Sequence, residues 1–367
     1  MYIYQNNSWP NFIWSNDIIF PFLSKVRNLQ GRLIGKMENL GFDLKNEALL
    51  ETLTLDVLKS TEIEGEFLSA QQVRSSIAKR LGMDLGGLIA SDRNVDGMVD
   101  LMIDATRNFN TPLTQERLFE WHSSLFPTTR SNMYKIVVGS WRNDFKGPIQ
   151  VISGSIGKEN VHFQAPESSK VSKEMEVFIE WFNSNDTIEP VIKAAIGHLW
   201  FVTIHPFEDG NGRITRALTD MLLARSDSSS QRFYSMSAQI RLERKSYYKI
   251  LESTQKGGMD ITEWILWFLY CLINSLHSTD SLLAKVLSKA SFWKNNAKTI
   301  LNYRQQIMIN KLLDEFDGKL TTSKWSKITK CSQDTALRDI HDLLSKNILK
   351  KQASGGRSTH YELVPNQ

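Results

Sequence analysis

The sequence predicts a mainly α-helical protein with one β-hairpin inside its helical part and a small mixed region at its C-terminal end. Three observations support this fold class. Apolar residues recur at spacings of three and four through most of the 367 residues. Two short runs, 149–153 and 160–164, alternate and are rich in β-formers, with glycines between them. Two further strand-like runs near the C-terminus are joined by paired glycines.

The length exceeds that of one typical hydrophobic core, so more than one domain is expected. We predict an N-terminal helical region over residues 1–91, a helical core over residues 92–293 and a small C-terminal domain over residues 294–367. A hydrophobic content of 41% and a charged content of 23% are ordinary for a soluble globular protein.

Several classes of protein are excluded by the composition. The longest apolar stretch, Trp264 to Leu272, is too short to span a bilayer, and the N-terminus lacks the pattern of a signal peptide. The two cysteines, Cys271 and Cys331, do not suggest a disulfide framework. We therefore expect a cytoplasmic protein without a membrane partner.

The N-terminal region opens with Trp9, Phe12 and Trp14, which we expect to pack against the core. A helical pattern then leads to the run 60–65, where Gly65 is a plausible helix terminator.

An apolar helical pattern over residues 191–204 leads into the most informative run of the chain. The helix should end near His205–Pro206, because proline disfavours helical geometry in the residue before it. Gly210 and Gly212 allow a tight turn and a close approach to a ligand. Residues 213–225 then show a second helical pattern.

The polar residues of this run suit the binding of a polyphosphate and the activation of a hydroxyl. His205 titrates near neutrality, as a general base requires, and Asp209 offers oxygen ligands for Mg²⁺. Asn211 and the adjacent amides can hold phosphate oxygens, and Arg213 and Arg216 share a helical face from which they can clamp phosphates. The alternatives are a loop-capping histidine with surface salt bridges, or a loop that binds nucleotide without catalysis.

The run from His205 to Arg216 resembles the signature of the Fic family, His-x-Phe-x-(Asp/Glu)-Gly-Asn-Gly-Arg-x-x-Arg, at every defined position. The resemblance implies a Fic helical core and a nucleotide-dependent protein modifier, usually an AMP transferase that uses ATP and Mg²⁺. It implies these roles: base for His205, metal ligand for Asp209, anion hole for Asn211, nucleotide-binding backbone for Gly210 and Gly212, and a β/γ-phosphate clamp for Arg213 and Arg216.

A second motif resembles the inhibitory motif of Fic proteins, (Ser/Thr)-x-x-x-Glu-(Gly/Asn), with Ser60, Glu64 and Gly65 at its defined positions. A Glu64 carboxylate paired with Arg216 would compete with the γ-phosphate, and a misalignment of about 1 Å can lower a rate ~10²-fold. The alternative is a solvated acidic helix end, since Glu62 and Glu66 lie on either side of Glu64.

The family also has a hairpin flap that pins the target segment by strand addition. We expect the flap to include Val151, Ile152, Ser153 and Gly154. A simple surface hairpin is the alternative.

The segment 244–251 resembles the part of the family that walls the adenine, which implies ATP contacts for Tyr247 and Tyr248. Adjacent tyrosines on a helix point apart, so we expect at most one to face the base. Core packing is the alternative for the other.

The C-terminal domain is basic, with 13 Lys and Arg residues against 7 Asp and Glu residues. Helical patterns over 304–316, 323–329 and 332–345 precede strands over 348–352 and 359–363, which is typical of a winged helix-turn-helix. The recognition helix would present Gln333, Asp334, Thr335 and Arg338, and the wing Arg357. DNA binding and protein contacts are both open for this domain.

The leading interpretation is an autoinhibited transfer of AMP from ATP to a Ser, Thr or Tyr hydroxyl of a protein, with release of pyrophosphate. One alternative is a DNA-binding regulator whose Fic site senses nucleotide. Another is a Fic enzyme that removes AMP or transfers a different phosphate-containing group. Besides the protein substrate, the partners considered are the chain itself as a modification target, DNA, and a second copy in a homo-oligomer.

Overall fold

The computed structural model describes residues 1–38, 42–83, 87–131, 134–145, 147–153, 160–313, 316, 318–352 and 359–364. It divides into two compact units, residues 1–77 with 90–280 and residues 78–89 with 281–367. The predicted limits of the N-terminal, core and C-terminal domains remain predictions. No helix in the described ranges combines the length and the apolar character needed to cross a membrane.

The first unit is mainly helical. Its elements, of which α3 and α11 continue into the second unit, are α1 (Asn16–Glu38), α2 (Phe42–Ile63), α3 (Ala70–Arg80), α4 (Arg93–Arg107), α5 (Gln115–Leu125), β1 (Arg130–Ser131), β2 (Tyr134–Lys135), β3 (Gln150–Ser153), β4 (Asn160–Gln164), α6 (Ser168–Asn183), α7 (Pro190–Ile204), α8 (Asn211–Asp227), α9 (Met236–Leu242), α10 (Arg244–Gln255) and α11 (Thr262–Asn295).

Helices α7 and α8 form an antiparallel hairpin at the centre of this unit. The Glu189 side chain caps α7 by accepting hydrogen bonds from the amides of Val191 and Ile192, and Pro190 occupies the first turn. Most residues of both helices are buried. The loop between the two helices, which carries the Fic-like run, is therefore held by the most deeply packed part of the unit.

The N-terminal segment packs against this centre, as predicted. The Trp9 and Phe12 rings contact the Trp200 ring of α7 edge-on, with centroids 6.2 and 6.0 Å away. Helix α2 ends at Ile63, and Gly65 follows in the left-handed region with a φ of 84°, which agrees with its predicted role as a terminator.

The predicted hairpin is present as the antiparallel pair β3–β4, with a register shift between Val151 and Ile152. The predicted turn, which includes Gly154 and Gly157, lies outside the described residues. A second, very short hairpin, β1–β2, was not predicted from the sequence.

The second unit contains α12 (Tyr303–Leu313), α13 (Thr322–Thr329), α14 (Gln333–Ser345), β5 (Leu349–Lys351) and β6 (Tyr361–Leu363). The strands are antiparallel, and Leu320 forms an additional bridge to Tyr361. The order of elements is the predicted one, and Ser332 caps α14 as expected. Assignment as a winged helix remains a prediction, and Arg357 lies outside the described residues.

Candidate active site

The loop between α7 and α8 has a backbone that few sequences can adopt. His205 ends α7 with a φ of 53°, and Gly210 precedes α8 with a φ of 82°. A left-handed conformation is uncommon for a residue other than glycine and points to a functional constraint. The buried Asn211 side chain accepts from the Phe207 amide at 2.9 Å and donates to the Phe207 carbonyl at 2.8 Å. Asn211 thus braces the loop, and its part in an anion hole, together with the amides at the start of α8, remains a prediction.

The His205 imidazole is held in one tautomer. Its Nδ1 lies 3.2 Å from the Val202 carbonyl, which can only accept, so Nδ1 carries the proton and Nε2 is left with a lone pair. Burial, aided by the nearby Arg142 guanidinium, lowers the pKa of His205 to about 4. The ring is therefore neutral at pH 7, as a base must be before it accepts a proton.

The Asp209 carboxylate is fixed from two sides but stays partly exposed. Ser131 of β1 donates a hydrogen bond to Oδ2, and the Gly210 amide donates to Oδ1 at 2.5 Å. Arg213 Nη2 lies 3.8 Å from Oδ1. Sequence reasoning missed Ser131, because a single serine in an unpredicted two-residue strand leaves no pattern.

His122 of α5 supports the same loop and was also missed. Its Nδ1 accepts a hydrogen bond from the Gly139 amide at 3.2 Å, so Nε2 carries the proton and donates to the Asp209 carbonyl at 3.1 Å. The ring stacks on Phe207, with centroids 4.2 Å apart, and burial lowers its pKa to about 4. His122 is thus a neutral brace for the loop.

Arg142 is a third supporting residue that no sequence pattern indicated. Its Nε donates to the His205 carbonyl at 2.7 Å, and its guanidinium also donates to the Pro166 carbonyl. Pro166 follows β4 closely in the chain. Arg142 therefore ties the base of the hairpin to the loop that carries His205.

Arg216 is buried, and its guanidinium already donates hydrogen bonds to other residues of the chain. Its Nε donates to Ser60 Oγ at 2.8 Å, and its Nη2 donates to the Ser60 carbonyl at 2.8 Å and to Glu64 Oε1 at 2.7 Å. Glu64 also lies against the start of α8, since a Cβ placed on Gly212 would come within 2.0 Å of Oε1. The structure thus brings together the two sequence motifs, which lie about 150 residues apart.

Arg213 is also buried and paired. Its Nη1 donates to Glu66 Oε2 at 2.8 Å, and the guanidinium lies 4.9 Å from the centre of the Phe126 ring. The sequence singled out Glu66 only as part of an acidic helix end.

The two tyrosines of α10 differ in exposure. Tyr247 is 2% exposed, and its hydroxyl lies 2.9 Å from Nε2 of the buried His198. Tyr248 is partly exposed and lies beneath the Arg244 guanidinium. Tyr248 is thus the more exposed of the two, and an ATP contact for either tyrosine remains a prediction.

The hairpin residues Val151, Ile152 and Ser153 form β3, and Ile152 is exposed. The Ser153 hydroxyl lies 2.6 Å from His162 Nε2, and His162 Nδ1 lies 2.7 Å from the Glu252 carboxylate. These contacts link the hairpin to α10. Gly154, the fourth predicted flap residue, lies outside the described part of the chain.

A protein-only metal site does not form in the described part of the chain, where no three His, Cys, Asp or Glu side chains cluster. Asp209 nevertheless fits a Mg²⁺ ion that arrives with phosphates, because Mg²⁺ is commonly bound by one or two carboxylates together with substrate phosphates and water.

Comparisons with known proteins agree with this geometry. The family model described as the Fic/DOC family matches residues 112–223, and one described as a domain of unknown function (DUF4172) matches residues 2–83. The chain is 30% identical over 179 residues to protein adenylyltransferase fic-1 of Caenorhabditis elegans, a match that covers 48% of this chain and 32% of that protein. It is 28% identical over 224 residues to protein adenylyltransferase Fic of Drosophila melanogaster, which covers 60% of this chain and 40% of that protein. The chain thus spans about a third to two fifths of these relatives.

Two solved structures show the same fold. A Fic family protein from Desulfovibrio desulfuricans superposes with a TM-score of 0.55 at 18% identity, covering 95% of this chain and 97% of that chain. A Fic domain containing signaling protein from Bacteroides thetaiotaomicron superposes with a TM-score of 0.51 at 20% identity, covering 73% and 97%. The part of this chain that matches the Fic/DOC family model, residues 112–223, includes α7, the loop that carries the motif and most of α8.

Proposed function

We propose that this protein is an autoinhibited adenylyltransferase that moves AMP from ATP to a Ser, Thr or Tyr hydroxyl of a protein. The observation that carries the proposal is the complete Fic motif with its histidine neutral and one ring nitrogen free to accept a proton. The relatives named protein adenylyltransferase support the same reaction class.

The reaction follows from the positions of these groups. The target hydroxyl oxygen forms a bond to the α-phosphorus, and its proton passes to His205 Nε2. The bond from the α-phosphorus to the α,β-bridging oxygen breaks, and pyrophosphate leaves with the electron pair. The first amides of α8 stabilise charge on the α-phosphoryl oxygens. Asp209 would hold Mg²⁺, which supplies positive charge along the phosphates.

The hydrogen bonds that Arg216 already makes support the proposed autoinhibition. The guanidinium already donates to Ser60 and Glu64, so a γ-phosphate would have to displace a carboxylate to reach it. ATP bound beside an intact Glu64–Arg216 pair would hold its α-phosphate in a displaced position, and misplacement by about 1 Å can cost ~10²-fold in rate.

The test is transfer of label from α-³²P-ATP to proteins of a cell lysate by the parent, Glu64→Gly and His205→Ala proteins. We expect more labelling with Glu64→Gly and none with His205→Ala. Glu62→Gly is the matched control, because Glu62 pairs with Lys59 and Arg241 instead of with the motif. Equal labelling by parent and Glu64→Gly would overturn the autoinhibition, and labelling that survives His205→Ala would overturn the catalytic assignment.

The identity of the transferred group is tested separately, because the motif contacts phosphates and does not read the moiety attached to them. Mass spectrometry of the modified protein should show the addition of one AMP. A different added mass, or loss of AMP from a protein modified beforehand, would assign the site to one of the other Fic reactions.

We propose DNA binding by the second unit as a second candidate function. Gln333, Asp334 and Arg338 are exposed at the start of α14, as a recognition helix requires. Steep loss of DNA affinity with added salt would support DNA binding by this unit. If the protein is not retained on DNA at low salt, DNA binding by this unit is wrong.

A further inference from the structure

Both arginines of the motif form an ion pair with a carboxylate. Glu64 pairs with Arg216 at 2.7 Å, and Glu66 pairs with Arg213 at 2.8 Å. We propose that Glu66 is a second inhibitory residue, which holds Arg213 as Glu64 holds Arg216, so that a polyphosphate must displace both. The inference rests on the proposed function and extends its regulation to the first arginine of the motif.

The backbone between the two glutamates places both carboxylates on the α8 side. The Gly65 amide donates to the Glu62 carbonyl at 3.1 Å, and the Glu66 amide donates to the Thr61 carbonyl at 3.1 Å. Gly65 has a φ of 84°, which turns the chain directly after Glu64. This one left-handed residue brings Glu66 to Arg213.

Glu62 shows that the arrangement is selective. Its carboxylate lies 2.8 Å from Lys59 Nζ and 3.4 Å from Arg241 Nε, and both cations lie outside the Fic motif. An acidic helix end in solvent would not need to give each of its glutamates a separate cation. Glu62 therefore provides a matched control of the same residue type in the same segment.

Arg213 is incompletely satisfied by its protein partners. Its side chain is 5% exposed, and within the described ranges its buried Nε has no hydrogen-bond acceptor. A buried donor without a partner costs free energy, and a phosphate oxygen is a strong acceptor for a guanidinium. Arg213 thus retains hydrogen-bonding capacity for an anion beyond what Glu66 takes up.

The charges explain why both carboxylates have to leave. Glu64 and Glu66 together neutralise the two guanidiniums, so a polyphosphate that approached the closed site would meet two carboxylates instead of two cations. Glu66 has a more exposed side chain than Glu64, 38% against 30%, which makes its ion pair the more strongly screened of the two. We expect it to open first and to contribute the smaller share of the inhibition.

The experiment measures binding of inorganic tripolyphosphate by calorimetry, with AMP transfer from labelled ATP as a second readout. Glu66→Gln removes the charge and keeps the side-chain shape. It should tighten tripolyphosphate binding by up to about fivefold, the range expected from loss of a partly exposed competing ion pair. Glu64→Gln should tighten it at least as much, the double variant more than either, and Glu62→Gln should bind like the parent.

Glu66→Asp is a control that separates loss of the Glu66 charge from a structural change at this position. It keeps the charge but shortens the side chain, so its affinity should lie between those of the parent and Glu66→Gln. If Glu66→Gln binds tripolyphosphate like the parent while Glu64→Gln binds more tightly, the inference is wrong and the proposed function stands. If Glu66→Gln binds more tightly but no variant transfers AMP, the inference stands and the proposed function fails.

Discussion

The two ends of the α7–α8 hairpin both carry cations, but they satisfy them in different ways. At the motif end, Arg213 and Arg216 are paired with Glu66 and Glu64, which come from a segment 147 and 152 residues earlier in the chain. At the opposite end, Arg225 Nε donates to the Phe109 carbonyl at 2.7 Å.

Backbone carbonyls dominate that second end. Arg225 Nη1 donates to the Phe182 carbonyl at 3.0 Å, and Lys193 Nζ donates to the Ser184 carbonyl at 2.6 Å and to Asp186 at 3.0 Å. A cavity of about 360 Å³ is lined by these residues. A backbone carbonyl cannot leave without local unfolding, whereas a carboxylate on a flexible side chain can rotate away. The autoinhibition proposed above requires this difference, because Arg213 and Arg216 have to be released to a ligand while the cations held by carbonyls stay in place.

The largest expected effect comes from the carbonyl-held end. Arg225→Met should lower the free energy of unfolding by about 2–3 kcal/mol, because it leaves the Phe109 and Phe182 carbonyls without their donor. Glu64→Gln should cost less than about 1 kcal/mol, since a partly exposed ion pair contributes little. Urea unfolding of both variants measures the difference. If Arg225→Met and Glu64→Gln lower the free energy of unfolding equally, the carbonyl partners at one end hold their cation no more firmly than the carboxylates at the other.

The next effect concerns the space that Glu64 fills at the start of α8. Gly212→Ala places a Cβ about 2.0 Å from Glu64 Oε1, so the methyl group expels that carboxylate from Arg216. We expect a loss of about 1–2 kcal/mol in the parent, since the buried guanidinium loses a charged partner. In a Glu64→Gly background the same substitution should be neutral or stabilising, because alanine favours a helix by about 1 kcal/mol over glycine.

Thermal and urea unfolding of the parent, Gly212→Ala, Glu64→Gly and the double variant measure the free energy of coupling between residues 64 and 212. If the cost of Gly212→Ala is the same with and without Glu64, that carboxylate does not fill the space above Gly212 in solution.

Sequence reasoning succeeded where the signal is local. The end of α7 at His205, the capped start of α14 and the turn at Gly65 each follow from a few adjacent residues. The pairing of Glu64 with Arg216 was predicted only because two motifs were read together, and the structure places the pair at 2.7 Å.

Residues that act through long-range contacts were missed. His122 occupies a helical position that suits the core, and nothing in the neighbouring sequence reveals that its Nε2 reaches the Asp209 carbonyl. Arg142 and Ser131 are single polar residues in a stretch without a clear period. Sequence reasoning named Glu66 only within the alternative of a solvated acidic helix end, because the direction of its side chain depends on the φ of Gly65, which the sequence only suggests.

A buried carboxylate in the middle of α2 makes the stability of the fold depend on pH. Asp56 of α2 accepts a hydrogen bond from Ser235, and burial together with the Asp220 carboxylate raises its pKa to about 8, although Arg232 acts in the opposite direction. The folded state then keeps a proton that the unfolded state releases near pH 4. Stability from this group is present at low pH and is lost as the pH rises from about 4 to 8.

Asp56→Asn mimics the protonated carboxyl and removes this dependence. Relative to the parent, the variant should become steadily more stable between about pH 4 and pH 8, as measured by urea unfolding at several pH values. A constant difference between Asp56→Asn and the parent across this range would show that Asp56 is ionised in the folded state.

The smallest expected effect on stability comes from a substitution in the turn at Gly65, which sets the direction of both glutamate side chains. Gly65→Ala meets no atom within 4 Å, so its cost comes only from the positive φ and should be about 1 kcal/mol. Relaxation of that strain shifts Glu64 and Glu66 away from their arginines, and AMP transfer should rise severalfold. Gly82→Ala is a matched control, because Gly82 also has a positive φ, 68°, and a Cβ there would meet no atom within 4 Å. Both variants should lose similar stability and only Gly65→Ala should gain activity. If Gly65→Ala loses stability without a gain in transfer, the carboxylates keep their arginines despite the strained turn, and the motif end is held as firmly as the carbonyl end.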